Sequence, residues 1–147
     1  MLKSPLILFI FLAAASNFGF AQASVRVEPP NLQGPRLLPE QTGKAAIRDY
    51  QQAWQSFSAA FEQNRSDLLD PAFVGTAKDE LAQTIKQQAA LGIRTHYQDR
   101  SHDLQTVFYS TDGLSIEVID EVQYDMQLAD HHWVKTRQYV NAGYVIV

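Results

Sequence analysis

Asp120 is the residue of this sequence with the strongest indication of chemistry. From Leu114 to Leu128 apolar and polar residues alternate, and Asp120 is the exception on the apolar face of that stretch. A carboxylate that is removed from water holds a proton more readily, and a positioned carboxylate can act as a general acid or base. The pattern therefore predicts Asp120 as a proton acceptor, with Tyr50 and Tyr124 as candidate proton donors.

The neighbours of Asp120 depend on two turns. A two-residue turn at Asp112-Gly113 sets Gln105 opposite Asp120, and a turn at residues 129–131 brings Gln138 to a diagonal position. A structural interpretation competes with the catalytic one. In it, Asp120 lies near a sheet edge or is held by Gln105, Gln138 or a backbone donor, since carboxylates also belong to structural networks.

The four histidines do not form a metal-binding pattern. None of them has the i, i+4 helical spacing of a zinc site. His96 and His102 fall in a polar stretch that we interpret as a turn, and the adjacent His131 and His132 would point to opposite faces of a strand. We therefore expect surface or loop histidines, no metal and no cofactor.

Composition excludes several further classes of function. The chain has no Cys, which rules out disulfides and cysteine nucleophiles. It contains no Gly-rich phosphate loop, no Gly-x-Ser-x-Gly motif and no calcium loop. A formal net charge of -4 counts against a nucleic-acid partner, because such proteins usually carry a basic patch.

A long amphipathic helix is predicted over Lys44–Asn64. It must position Tyr50 and form one wall of any pocket. Its apolar stripe is mostly aromatic and favours a core position, but Trp54 and Phe57 could line an apolar ligand cavity. The other predicted pocket residues are Gln105, Val118, Val122 and Gln138. The stripe consists of Ile47, Tyr50, Trp54, Phe57 and Phe61.

Shorter elements follow this helix. We predict a helical turn at Ser66–Leu69 and a brief strand at Phe73-Val74-Gly75. A second helix begins with a capping box formed by Thr76 and Asp79, and it ends near Gly92.

After Gly92 the apolar period changes from about 3.6 to about 2, which indicates strands. The clean alternation predicts an antiparallel sheet with one face in water and the other covered by the helices, an α+β domain. The predicted strands are Leu104–Tyr109, Leu114–Leu128 and His132–Val147.

The N-terminal segment is typical of an exported protein. Residues 1–23 combine Lys3, the apolar run Leu6–Ala15 and a small-x-small site at Ala21-Gln22-Ala23, as in a secretory signal peptide. We expect a periplasmic or extracellular protein, with membrane contact only if the signal stays uncleaved. Residues 24–42 hold four prolines and are interpreted as an extended, solvated arm.

The order of these elements resembles the NTF2-like (SnoaL-like, cystatin-like cone) superfamily over about residues 43–147. The resemblance rests on the aromatic first helix, the break at Asp70-Pro71 and the hairpin of residues 114–128 and 132–147. It implies a strongly bent antiparallel sheet around the helices, with a cone-shaped pocket between them. Some members of that superfamily are isomerases, dehydratases or hydrolases, and many others bind ligands or proteins without catalysis, often as dimers through the sheet.

Two functions follow as expectations. The first is an exported, non-catalytic domain that binds a small apolar molecule or a protein partner. The alternative is a cofactor-independent isomerase or dehydratase with Asp120 as general base. Since the superfamily usually has a further strand, the apolar end at Tyr144–Val147 indicates either a fragment or a sheet one strand short, and its exposed edge would favour pairing with a second copy.

Overall fold

The computed structural model describes residues 23–34, 36–130 and 134–146, and it describes side chains as far as Asp130. The predicted signal peptide, apart from Ala23, and His131 and His132 lie outside the described residues. The helical elements are α1 (Glu40–Gln63), a 3-10 turn (Ser66–Leu69) and α2 (Gly75–Ala90). The strands are β1 (Ser24–Val27), β2 (Arg94–Tyr109), β3 (Ile116–Ala129) and β4 (Val134–Ile146).

The four strands form one sheet in the order β1-β2-β3-β4. Strands β2, β3 and β4 pair in antiparallel fashion, as predicted, while β1 adds a parallel pair and makes the sheet mixed. The helices cover its inner face, so the predicted α+β class is confirmed. Within the described ranges, no helix is both long enough and apolar enough to span a membrane.

Helix α1 buries the predicted stripe and begins earlier than expected. Ile47, Tyr50 and Phe61 are buried on it, which confirms the 3.6-residue pattern. The helix begins at Glu40, directly after Pro39, rather than at Lys44. Proline is tolerated at this place because the first N–H groups of a helix have no partner within the helix.

The proline-rich arm is extended and mostly exposed, as predicted, but it is not a free tail, because it pairs with the sheet. Strand β1 pairs with residues 101–104 of β2, with Ser24 beside Ser101 and Val27 beside Leu104. Beyond β1, the backbone N–H of Glu28 still donates to the carbonyl of Leu104 at 2.8 Å. Prolines fit an edge of a sheet, where only some N–H groups have a neighbour to reach.

Strand β2 is much longer than the predicted Leu104–Tyr109, because the segment that we interpreted as a polar turn is part of it. It starts at Arg94, so His96 and His102 lie on a strand and not in a loop. The polar composition misled the prediction because one face of this strand lies in water.

The register around Asp120 also differs from the prediction. Leu104, and not Gln105, lies opposite Asp120 on β2, since one extra residue separates Thr106 from Phe108 in the pairing and shifts it by one. On β4 the partner of Asp120 is Tyr144, and Gln138 pairs with Met126, roughly 20 Å farther along the strand.

Three local predictions between the helices and the sheet are wrong. Phe73-Val74-Gly75 forms no strand, and α2 begins at Gly75 with no side-chain hydrogen bond at its N-cap, so Thr76 and Asp79 form no capping box. Leu114 was expected to point inward, but it lies in the loop before β3 and is 84% exposed. Gly92, with φ of 69°, does end the helical segment.

Candidate functional site

Asp120 is at the centre of a buried hydrogen-bond network. It is 0% exposed, on the inner face of β3 between Val118 and Val122. The hydroxyl of Tyr50 donates to its Oδ2, and Nδ1 of His102 donates to the same oxygen at 2.6 Å. The backbone N–H of Asp103 donates to Oδ1 at 3.2 Å. Asp120 is therefore held, as the structural interpretation predicted, and one of its partners is the predicted backbone donor, while Tyr50 and His102 take the place of Gln105 and Gln138.

His102 lies between two carboxylates. Its Nδ1 contacts Asp120, and its Nε2 is 3.6 Å from Oδ2 of Asp99. Burial by itself would lower the pKa of His102, but the hydrogen bond with Asp120 and the charges of both aspartates raise it to about 9. The imidazole is therefore protonated at neutral pH, and it lies between two acidic side chains.

Asp99 connects this network to the aromatic stripe of α1. The indole Nε1 of Trp54 donates to Oδ2 of Asp99 at 2.7 Å. The other oxygen, Oδ1, is buried and has no hydrogen-bond partner within the described part of the chain. A buried acceptor without a donor is costly, so this carboxylate has capacity for one more donor.

An irregularity in β2 brings Asp99 and His102 to the same face. Asp99 pairs with Tyr124 and Ser101 pairs with Gln123, which leaves Arg100 as an extra residue between them. Side chains alternate along a regular strand, so residues three apart would point to opposite faces. The extra residue cancels that alternation, and both Asp99 and His102 face α1.

A cavity of about 230 Å³ opens beside Asp99 and His102. Its walls come from three elements: the start of β1, one face of α1, and β2. The described residues that line it are Ala23, Val25, Tyr50, Gln51, Trp54, Gln55, Asp99 and His102. Gln51 and Gln55, which lie outside the apolar stripe of α1, thus face the cavity.

The aromatic residues predicted for the site come together. Tyr50 and Trp54 line the cavity, and Trp54 stacks on Phe57 and Tyr124 with ring centroids 5.5 and 5.7 Å apart. Phe57 and Tyr124 therefore support the cavity wall from behind. Among the contacts described, Tyr124 touches the ring of Trp54 and does not touch the carboxylate oxygens of Asp120.

The other predicted pocket residues lie elsewhere. Val118 and Val122 are buried on the inner face of β3 and belong to the core. Gln105 points away from the core, and its amide donates to the carbonyl of Pro29 in the arm at 3.0 Å. The side chain of Gln138 lies outside the described residues.

Sequence reasoning missed Asp99 and His102. Both lie in a polar stretch without an apolar alternation, and their three-residue spacing does not indicate a common face on a regular strand. No group of three or more His, Asp or Glu side chains in the described ranges could share one metal ion. The arrangement can instead hold a charged or hydrogen-bonding group beside Trp54.

Comparisons with known proteins bear on the fold. No family model matches the sequence, and no curated protein matches it. Among solved structures, the fold is similar to the intermembrane space region of the chloroplast protein ARC6, with a TM-score of 0.60 and 18% sequence identity. The match covers 76% of this chain and 83% of that chain. At this identity the likeness shows the fold alone, and the NTF2-like resemblance stays a prediction.

Proposed function

We propose that this chain is an exported, non-catalytic domain that binds a small molecule in the cavity between α1 and β2. The observation that carries the proposal is the enclosure of Asp120. A general base must reach the proton that it removes, but Asp120 is 0% exposed and both of its oxygens accept hydrogen bonds. The cavity, by contrast, presents Trp54 and Asp99 to a ligand.

The alternative function, an isomerase or dehydratase, has less support from this geometry. Besides Tyr50, the titratable side chain that both touches Asp120 and lines the cavity is His102. Its pKa of about 9 keeps it protonated at neutral pH, so it is a poor proton acceptor there. A binding function needs no free base at this position.

Export is part of the proposal. It is supported by the signal-peptide pattern of residues 1–23 and by the position of β1, whose first residue, Ser24, follows the predicted cleavage site. The N-terminal mass of the protein recovered from the periplasm or medium of a bacterial host tests it. A mass that includes residues 1–23 would contradict cleavage after Ala23.

Self-association through the sheet also belongs to this proposal. Of the described strands, β1 and β4 each have one neighbour, so each has an edge that could pair with another chain. Sedimentation equilibrium measures the mass in solution. We expect a dimer, and a monomer over the full concentration range would contradict this part of the proposal.

The binding proposal is tested by a screen of small molecules against the indole N–H signals of the ¹⁵N-labelled protein. The two Trp residues give two such signals, and Trp54→Phe assigns the one in the cavity. A ligand should shift the Trp54 signal in a saturable way. Gln51→Phe, which fills the cavity from α1, should abolish the shift, while Gln52→Phe on the exposed side of the same helix should preserve it.

Two results would contradict the proposed binding site. One is a screen in which no compound shifts the Trp54 signal. The other is equal binding by the Gln51→Phe and Gln52→Phe variants, which would place the ligand elsewhere. Turnover of a bound compound by the wild-type protein would favour the enzyme instead.

A further inference from the structure

We propose that the cavity beside Asp99 binds a primary ammonium group. The inference rests on the proposed binding function and names the chemistry of the ligand. It follows from the excess of carboxyl groups over basic groups at the site, from the position of Asp99 on the cavity wall, and from the groups that surround it.

The charge of the site favours a cation over an anion. Asp99 and Asp120 flank His102 on its two ring nitrogens, so its positive charge is already balanced from both sides. The network thus contains two carboxyl groups and one imidazole. Among the described residues that line the cavity, His102 is the single cationic side chain, so no lysine or arginine from that part of the chain supplies a second positive charge.

Nearby basic side chains are engaged on other surfaces. Arg26 pairs with Asp103, and Arg100 pairs with Asp125 at 2.7 Å. Neither arginine is among the described residues that line the cavity beside Asp99. An anion entering the cavity would therefore meet the carboxylate of Asp99, whereas a cation would be attracted to it.

The hydrogen-bonding groups of the cavity match an ammonium group. Such a group has three N–H donors. The side chain of Asp99 lines the cavity and is about a quarter exposed, so its carboxylate can accept one of them. Gln51 and Gln55, one helical turn apart on α1, offer two amide carbonyls on the same wall.

The indole of Trp54 adds a further preference for a cation. It lies between the two glutamines in the sequence of α1 and lines the same cavity. Its N–H is bonded to Asp99, which fixes the ring beside the carboxylate. The face of an indole attracts an ammonium group electrostatically, and a neutral group of the same shape would gain nothing comparable.

Two sources could supply the ammonium group. One is a small free amine. The other is the chain itself, because the predicted cleavage after Ala23 would remove that lining residue and leave an α-ammonium group on Ser24 in its place, next to Val25, which also lines the cavity. Processing would then place a positive charge at the cavity wall.

The experiment uses the full chain, exported and processed by a bacterial host, with its N-terminus identified by mass. The probes are n-butylammonium and the neutral 1-butanol, titrated at constant ionic strength while the Trp54 indole signal is followed. Asp99→Asn removes the carboxylate charge. Asp103→Asn is the matched control, since that carboxylate lies on the same strand but pairs with Arg26.

We expect butylammonium to shift the Trp54 signal in a saturable way and butanol to leave it unchanged. Asp99→Asn should weaken the binding roughly tenfold or more, since a charge-assisted hydrogen bond is lost. Asp103→Asn should change the affinity by less than about twofold, because the Asp103 carboxylate is already paired with Arg26.

Mild periodate distinguishes the two sources, because it converts an N-terminal serine to a glyoxylyl group and so removes its ammonium. If the Ser24 ammonium occupies the cavity, oxidation should strengthen butylammonium binding at least about tenfold. If a free amine is the ligand, or if the N-terminus is not Ser24, oxidation should leave the affinity unchanged. Either result supports an ammonium site.

The proposal would be overturned by equal binding of butanol and butylammonium, or by an Asp99→Asn variant that binds as well as the wild type. In both cases the cavity would still be a ligand site, so the proposed function would stand. If no compound, charged or neutral, shifts the Trp54 signal before or after oxidation, both the ammonium proposal and the proposed function fail.

Discussion

Helix α1 covers two regions of very different character. Its first half lies over the polar network of Tyr50, His102 and Asp120. Its second half packs an apolar cluster in which Ala60 and Phe61 contact residues of the 3-10 turn and α2, Leu69 and Ile85 among them. Both regions are buried, but only the apolar one gains free energy simply from leaving water.

The difference shows that burying the polar region costs free energy of desolvation. Burying a carboxylate and an imidazolium requires desolvation, which their mutual attraction offsets only when the geometry is good and the remaining atoms are hydrogen-bonded. Asp120 meets that condition, whereas Asp99 keeps one buried oxygen without a partner in the described ranges. The apolar region therefore stabilises the fold, and the unfinished part of the network is where we place binding.

The largest effect is expected from removing one partner of the buried pair of Asp120 and His102. Asp120→Asn leaves His102 without its main partner and should lower the free energy of unfolding by about 3–5 kcal/mol. Urea denaturation followed by circular dichroism measures it. The double change Asp120→Leu with His102→Leu should be less destabilising than Asp120→Leu alone, because it removes both charges together. Equal or greater loss in the double variant would show that the network itself stabilises the fold.

A large-to-small change in the apolar cluster should cost nearly as much for a different reason. Ile85 is 2% exposed, so Ile85→Ala removes buried methyl groups and leaves a cavity, with an expected loss of about 2–5 kcal/mol. Denaturation at several pH values measures it. The loss should be the same at each pH, because no titratable group is involved. A loss that varied with pH would mean that the two regions are coupled through α1.

The pH dependence of stability should report the polar region alone. The pKa of His102 rises from 6.5 to about 9 on folding, so its contribution is fully present below pH 6.5 and is lost as the pH rises through about 9. We expect the free energy of unfolding to fall by on the order of 2 kcal/mol across that window. Asp120→Asn should flatten the curve, while Ile85→Ala should shift it without changing its shape. A wild-type curve that is flat between these pH values would refute the charged state of His102.

The sequence was informative wherever a regular period held. The stripe of α1 predicted its buried residues, and the unbroken alternation of β3 identified Asp120 as the buried polar residue and Tyr50 as a possible partner. These signals depend on local geometry, in which side chains repeat at about 3.6 or 2 residues.

The sequence was uninformative wherever the period was broken. The extra residue at Arg100 brings Asp99 and His102 to one face, and no pattern of residue types marks it. The docking of the arm on β2 depends on contacts far apart in the chain, which local propensity does not contain. Asp99 and His102 could therefore be assigned to the site only from the three-dimensional structure.

The smallest expected effect concerns the capping box, which the sequence predicted and the structure does not contain. Thr76 and Asp79 have the spacing of a capping box, and such a cap typically contributes about 1 kcal/mol. In the structure, however, Val74 is the N-cap of α2 and no side-chain hydrogen bond caps the helix, so Thr76 already lies within it.

Thr76→Ala should change the free energy of unfolding by less than about 0.5 kcal/mol, with a slight gain possible because Ala is the better helix former. Urea denaturation beside Thr84→Ala, a threonine later in α2 whose hydroxyl bonds the carbonyl of Glu80, makes the comparison. A loss of 1 kcal/mol or more at position 76 alone would indicate that the cap does form in solution and that α2 begins two residues later than the structure places it.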